Sequence, residues 1–95
     1  MLTAQKIVDQ VLAHTDVQPG QLFGRGSGSK AAEVCTARAV AMTIVRDELG
    51  YSSERIGRIF KRDHSSVWHA IRRCRSHPPM QALYEEIVSS RAGSR

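Results

Sequence analysis

The strongest hydrophobic pattern of the chain lies between residues 62 and 76. Apolar side chains recur there three and four positions apart, the spacing of one face of an α-helix: Val67, Ala70, Ile71 and Cys74. Asp63 precedes this pattern, and aspartate is a favoured N-cap because its carboxylate accepts hydrogen bonds from the first helical N–H groups. We therefore expect a helix that begins near His64, packs its apolar stripe against a core, and stops at His77-Pro78-Pro79.

The opposite side of this predicted helix carries hydrogen-bonding and cationic side chains. We call this side the outer face, and its members are Ser65, Ser66, His69, Arg72 and Arg73. Such groups can contact base edges and phosphates. The pattern indicates that the outer face meets an anion, although a solvated basic face of an ordinary helix would show the same periodicity.

A shorter helical pattern lies just upstream, in residues 53–60. Ser53 is expected to cap it, and Ile56, Ile59 and Phe60 supply its apolar side. Lys61 and Arg62 leave room for only a tight turn before the next helix. Residues 53–76 therefore predict a helix-turn-helix, with a plain helical hairpin as the alternative reading of the same pattern.

The remaining segments are also predicted to be helical or irregular, and a strand-rich alternative has little support. The expected elements are a helix over 3–15 capped by Thr3, a turn or one-turn helix over 17–23 broken by Pro19-Gly20, a flexible basic loop over 24–30, a helix over 31–49 ended by Gly50, a helix over 80–89 with Leu83, Tyr84 and Ile87 inward, and a frayed tail over 91–95. A length of 95 residues suits one all-α domain spanning residues 1–95.

Charge is concentrated on the predicted helix-turn-helix. Residues 55–75 contain seven Lys or Arg residues and one acid, Asp63, hence +6, whereas the whole chain has a net charge of +5. The rest of the chain is therefore slightly acidic. A cationic cluster on the predicted helix-turn-helix is the electrostatic pattern expected for phosphate neutralisation. Nucleic acid is therefore the leading candidate partner.

Other chemistries find little support in the residues. The segment Gly24-Arg25-Gly26-Ser27-Gly28-Ser29-Lys30 lacks the Gly-Lys-Ser order of a phosphate loop and follows no apolar strand, so no nucleotide is expected. His64 and His69 are five residues apart and diverge on a helix, so no metal is expected. Asp63, His64 and Ser65 are adjacent at a helix start and cannot form a catalytic triad. We therefore expect no catalysis and no cofactor.

Composition also bears on where the protein resides. No run of about 18 apolar residues exists, and the first residues are amphipathic, unlike those of a signal peptide. We expect a cytoplasmic, nucleoid-associated protein of a bacterium, phage or plasmid, without membrane contact. Cys35 and Cys74 are expected to be reduced and buried. Trp68, at the edge of the apolar stripe, is expected to pack under the final helix, with base stacking as the alternative.

The segment Arg62-Asp63-His64-Ser65-Ser66-Val67-Trp68-His69-Ala70-Ile71-Arg72-Arg73 resembles the signature of the C-terminal DNA-binding domain of the bacterial replication initiator DnaA. That signature runs Arg-Asp-His-Thr-Thr-Val, an apolar residue, His-Ala, a variable residue and two basic residues. The resemblance extends over nearly the whole chain. It implies a Trp-repressor-like helix-turn-helix bundle of about five to six helices.

The resemblance also implies roles for individual residues. Base contacts in the major groove would fall to Asp63, His64, Ser65 and Ser66, and phosphate or supporting contacts to Arg38, Arg62, His69 and Arg73. Arg25 or Lys30, in the loop, would approach the minor groove. The implied partner is double-stranded DNA, with replication-initiation proteins as further candidates.

Several positions depart from the family pattern. The loop is poorer in cations than is usual, Thr36-Ala37-Arg38-Ala39 keeps a single Arg where the family has more, and the 95 residues hold no ATPase domain. Our hypothesis is sequence-specific DNA binding that controls replication initiation or transcription. The alternative is a regulator that keeps the fold, binds DNA weakly and contacts the replication machinery through Tyr84, Glu85 and Glu86.

Overall fold

The computed structural model describes residues 2–23 and 31–93, and these form six α-helices and no strand. The helices are α1 (Ala4–Ala13), α2 (Pro19–Phe23), α3 (Ala31–Leu49), α4 (Ser53–Phe60), α5 (His64–Ser76) and α6 (Pro78–Gly93). The fold is an all-α helix-turn-helix bundle, as predicted. The loop over 24–30 and the end of the tail, residues 94–95, lie outside the described residues, so a flexible loop and a frayed tail stay predictions.

The first helices begin and end at residues with clear local reasons. The Thr3 hydroxyl caps α1 by accepting from the Lys6 N–H at 3.2 Å, as predicted. The predicted break at Pro19-Gly20 is wrong, because Pro19 is the first residue of α2. Proline suits that position, since its fixed φ is helical and the N–H it lacks would have no partner within the helix. Gly50 follows α3 with φ +69°, the left-handed conformation that favours glycine at a helix end.

Helix α3 forms the centre of the bundle. Every residue from Ala39 to Val45 is buried, and α1, α2, α4, α5 and α6 all pack against this helix. Alanines at 37, 39 and 41, fully or almost fully buried, let neighbouring helices approach closely. The one buried polar side chain in the described core is Thr43, whose hydroxyl donates to the Ala39 carbonyl oxygen at 2.7 Å. This hydrogen bond avoids the free-energy cost of burying an unpaired hydroxyl group.

The turn between α4 and α5 is fixed by backbone geometry. Lys61 adopts the left-handed conformation, with φ 58°, and the Arg62 N–H donates to the Gly57 carbonyl oxygen at 2.8 Å. Gly57 is buried against the Arg62 carbonyl group, where a Cβ atom would collide with the carbonyl oxygen. The missing side chain at Gly57 therefore lets the turn fold back closely on α4.

The N-cap of α4 differs from our expectation. Ser52, not Ser53, accepts from the Arg55 N–H at 3.1 Å, and Ser53 is already the first helical residue. Two adjacent serines offer the same side chain, so the sequence alone could not choose between them. The predicted apolar side is confirmed, with Ile56 and Phe60 buried and Ile59 packed against the core.

The last helix is longer than the predicted span of residues 80–89. Helix α5 ends at Ser76, as predicted, and α6 starts two residues later at Pro78. Ile87 is buried, whereas Leu83 and Tyr84 are half-buried and pack against the core. Helix α6 thus closes the bundle beside α3 and α5.

Candidate nucleic-acid interface

Helix α5 has one buried side and one exposed side. Val67, Ile71 and Cys74 are buried and Ala70 is half-buried, which confirms the predicted apolar stripe. All five residues of the outer face are exposed. The outer face of α5 is therefore a polar, cationic surface that the described part of the chain leaves exposed.

Asp63 fixes the start of α5. A single carboxylate oxygen, Oδ1, accepts from the Ser65 N–H at 2.6 Å and from the Ser66 N–H at 3.4 Å. Neither of these bonds uses Oδ2. Because Asp63 is exposed, the same side chain can cap the helix and present an acceptor to a base amino group. His64 and Ser65, the first residues of α5, are exposed beside it.

A depression between α3 and α5 gathers several predicted contact residues, and we call it the arginine depression. It is lined by Arg38, Arg62 and Arg73 together with Ser66, His69 and Cys35. Three arginines from two helices and the turn thus line one depression beside the outer face. This arrangement can hold a phosphate beside the helix, since guanidinium groups match phosphate oxygens in charge and geometry.

Arg38 is also tied to the fold. Its Nε donates to the Leu22 carbonyl oxygen at 2.9 Å and its Nη2 to the Gln21 carbonyl oxygen at 3.1 Å, so it binds the C-terminal carbonyls of α2. Burial, and then the positive charge of Arg62, lower the pKa of Arg38 below its ordinary value. The guanidinium stays protonated at physiological pH. These bonds position its charge at the rim of the arginine depression.

Trp68 lies on the other side of the outer face. It is 50% exposed and borders a second depression with Ser53, His64, Ser65 and His69. The prediction that Trp68 packs under the final helix is wrong. Trp68 directly follows the buried Val67, and one residue turns a helix by about 100°, which carries the indole out of the core stripe.

Arg75, one of the seven cationic residues in residues 55–75, is paired within the fold. Its Nη2 donates to Asp47 Oδ1 at 2.8 Å and its Nη1 to Oδ2 at 3.3 Å, while the Tyr84 hydroxyl donates to Oδ2 at 2.7 Å. The bond from Arg75 is the main cause that lowers the pKa of Asp47, and burial followed by the bond to Asp47 raises the pKa of Tyr84. Arg75 therefore joins α5 to α3 and α6.

The two cysteines differ in environment. Cys74 is buried, as predicted, and burial raises the pKa of its thiol. The prediction of a buried Cys35 is wrong, because it is exposed near the start of α3 and lines the arginine depression. Its place there could have been inferred from its spacing, since it precedes Arg38 by three residues and shares a helix face with it.

Two predicted site residues, Arg25 and Lys30, lie outside the described residues. Within the part of the chain that the structure describes, no His, Cys, Asp and Glu side chains form a group of three that could hold a metal ion. The described helices also include none long and apolar enough to span a membrane.

The tight turn, the capped second helix and its exposed polar face define a helix-turn-helix protein. Comparison with known families matches residues 4–74 to the bacterial dnaA protein helix-turn-helix. The chain therefore belongs to this family. The match covers α1 to α4 and α5 up to Cys74, so it includes α4, the turn and all but the last two residues of α5.

Individual relatives are chromosomal replication initiator proteins. The chain is 42% identical over 65 residues to DnaA of Deinococcus deserti, which covers 68% of this chain and 14% of that protein. It is 39% identical over 71 residues to DnaA 2 of Chlamydia caviae, covering 75% and 15%. For DnaA of Leptospira biflexa the identity is 30% over 81 residues, covering 85% and 18%. The chain thus spans less than one fifth of the length of these relatives. No solved structure matches the chain significantly.

Proposed function

We propose that this protein binds double-stranded DNA in a sequence-specific manner, with α5 in the major groove, and acts without catalysis. The observation that carries this proposal is the exposed outer face of α5. It places hydrogen-bonding and cationic side chains on one uncovered side of a helix whose opposite side is anchored in the core. This is the arrangement by which a recognition helix reads base edges.

The geometry supports a division of roles among the side chains. Asp63, His64, Ser65 and Ser66, at the exposed start of α5, are proposed to read bases. Four of the residues that line the arginine depression are proposed to contact phosphates: Arg38, Arg62, His69 and Arg73. Arg72 adds an exposed cation to the outer face. For Arg25 and Lys30, a minor-groove contact is proposed from the family resemblance alone.

We further propose that binding controls replication initiation or transcription, on the nucleoid of a bacterium or on the DNA of a phage or plasmid. The relatives carry the name chromosomal replication initiator protein, and this chain matches the helix-turn-helix of that family. A sequence-specific DNA-binding protein of this kind could occupy initiator sites at an origin or recruit replication-initiation proteins there. The alternative is weak DNA binding with protein contacts through Tyr84, Glu85 and Glu86 of α6. It is less well supported at Tyr84, because the hydroxyl of this residue already donates to Asp47 within the fold.

The proposal is tested by measuring affinity for duplexes at several salt concentrations. We would select a preferred site from a random duplex library and compare it with a scrambled duplex of the same composition. Arg38, Arg62, Arg72 and Arg73 could together neutralise roughly four phosphates, which predicts a slope of log affinity against log salt of about −4. A slope near zero, or equal affinity for both duplexes, would refute sequence-specific DNA binding.

Two arginines of α5 provide a matched pair of variants. Arg73→Ala removes a cation of the arginine depression, so affinity should fall equally on both duplexes and the salt slope should shrink by about 1. Arg75→Ala removes a cation that is bonded to Asp47, so DNA affinity and slope should stay unchanged. Equal losses for both variants would mean that overall charge, and not the placement of the guanidinium groups, governs binding.

A further inference from the structure

Trp68 is the only large hydrophobic side chain that the described part of the chain exposes. It is 50% exposed, while the other large apolar residues of α5 and of its neighbours are buried or packed against the core. Exposing half of an indole to water forgoes the free energy of burying it, and a valine or leucine at the same site would expose less apolar area. What makes this side chain informative is its position beside the outer face.

Two neighbours on the same helix hold the indole in place. The Arg72 guanidinium lies over the ring at 4.9 Å from its centroid, within the range of a cation–π interaction. The His69 imidazole meets it edge-on, with centroids 5.2 Å apart and planes at 75°. Both neighbours belong to the outer face. The indole is thus pre-oriented beside residues proposed to contact DNA, which reduces the conformational entropy lost on binding.

The chemistry of the outer face lacks an apolar partner for thymine. In the major groove, the C5-methyl group of thymine is the apolar feature that distinguishes it from the other bases. Ser65 and Ser66 carry hydroxyl groups but no methyl group, and His64 and Arg72 are polar. Trp68 borders the same depression as Ser65 and supplies the missing apolar surface.

We propose that Trp68 is a specificity-determining residue that packs against the C5-methyl group of one thymine in the bound site. The proposal rests on the proposed function, since it needs α5 to enter the major groove. It assigns to Trp68 a contact that makes the protein prefer thymine at one step beside the bases read by Ser65. Arg72 is then a positioning residue for the indole as well as a cation near the phosphates.

The test replaces each thymine of the selected duplex, one at a time, by uracil, which removes only the methyl group. Wild-type affinity should fall about fourfold at one position, the factor for losing the burial of one methyl-sized group. Trp68→Ala should bind the thymine and uracil duplexes equally at that position, whereas Trp68→Phe should keep part of the preference. Because Trp68 is half-exposed, these variants should fold, and circular dichroism checks that they do.

A second measurement uses the fact that the chain contains a single tryptophan. Its emission should shift to shorter wavelength on titration with the selected duplex, in parallel with binding measured by anisotropy of a label on the DNA. Tight binding without an emission change, or a Trp68→Ala variant that keeps the full thymine preference, would overturn this proposal and leave the proposed function intact. Absence of any DNA binding would overturn both.

Discussion

Gly57→Ala is predicted to destabilise the protein, although alanine is the better helix former. In an ordinary helix interior this change stabilises by about 1 kcal/mol. At Gly57 the new Cβ would collide with the Arg62 carbonyl oxygen and would lie 3.4 Å from the Arg62 carbonyl carbon and 3.5 Å from that of Asp63. These atoms are backbone atoms, held by the bond from the Arg62 N–H to the Gly57 carbonyl oxygen at 2.8 Å.

The size of the effect follows from these two opposing contributions. Overpacking costs typically 1–3 kcal/mol, and a backbone obstacle belongs at the upper end of that range because it cannot rotate away. After subtracting the gain in helix propensity of about 1 kcal/mol, we expect a net loss of about 1–2 kcal/mol in the free energy of unfolding. For a domain of this size each kcal/mol lowers Tm by roughly 4–8 °C.

The assay is unfolding in urea, monitored by circular dichroism. An unchanged slope of the free energy of unfolding against urea concentration would show that the unfolding transition is otherwise intact. Gly20→Ala in α2 is the control, because a Cβ there meets nothing within 4 Å, and its stability should be unchanged or slightly higher. DNA affinity of folded Gly57→Ala should also fall, since the start of α5 must shift. A Gly57→Ala protein as stable as the wild type would refute the close approach of the turn to α4.

Two further predictions concern aspartates. Asp63→Ala should cost about 0.5–2 kcal/mol of stability through loss of the N-cap, whereas Asp63→Asn should keep the cap, since asparagine caps equally well, and lose only the proposed base contact; urea unfolding and DNA affinity separate the two, and equal destabilisation by both variants would contradict a capping role. The pKa of Asp47 is lowered in the fold, so its contribution to stability is present above its ordinary pKa of 3.8 and is lost as the pH falls through the lower folded value. Wild-type stability should therefore decline more steeply below that pH than the stability of Asp47→Asn, and parallel pH profiles would argue against the pairing of Asp47 with Arg75.

Local physical chemistry made much of the fold predictable. The caps at Thr3 and Asp63, the glycine after α3 and the prolines after α5 each act on neighbouring backbone groups, so their effects can be read from adjacent residues. The apolar stripe of α5 was predictable for a related reason. A periodicity of 3.6 residues fixes which side chains share one face of a helix, whatever the rest of the chain does.

The candidate site was predictable only as a set of residue types on one helix face. The periodicity placed Ser65, His69 and Arg72 opposite the core. The resemblance to the DnaA family implied a contact with DNA for most of the candidate site residues. Their roles on DNA stay predictions. The sequence could not tell that Arg38 and Arg62 would line the same depression as Arg73, because the residues come from α3, the turn and α5.

Tertiary packing decided what lies next to each helix face. Arg75 pairs with Asp47, which is 28 residues away in the sequence. Arg38 donates to carbonyl groups of α2 that are 16 and 17 residues away. Trp68 is exposed because no described helix covers its side of α5. A sequence pattern gives the angle at which a side chain leaves its own helix. Which group meets it there depends on how distant helices pack. That packing leaves Trp68 exposed and pairs Arg75 with Asp47.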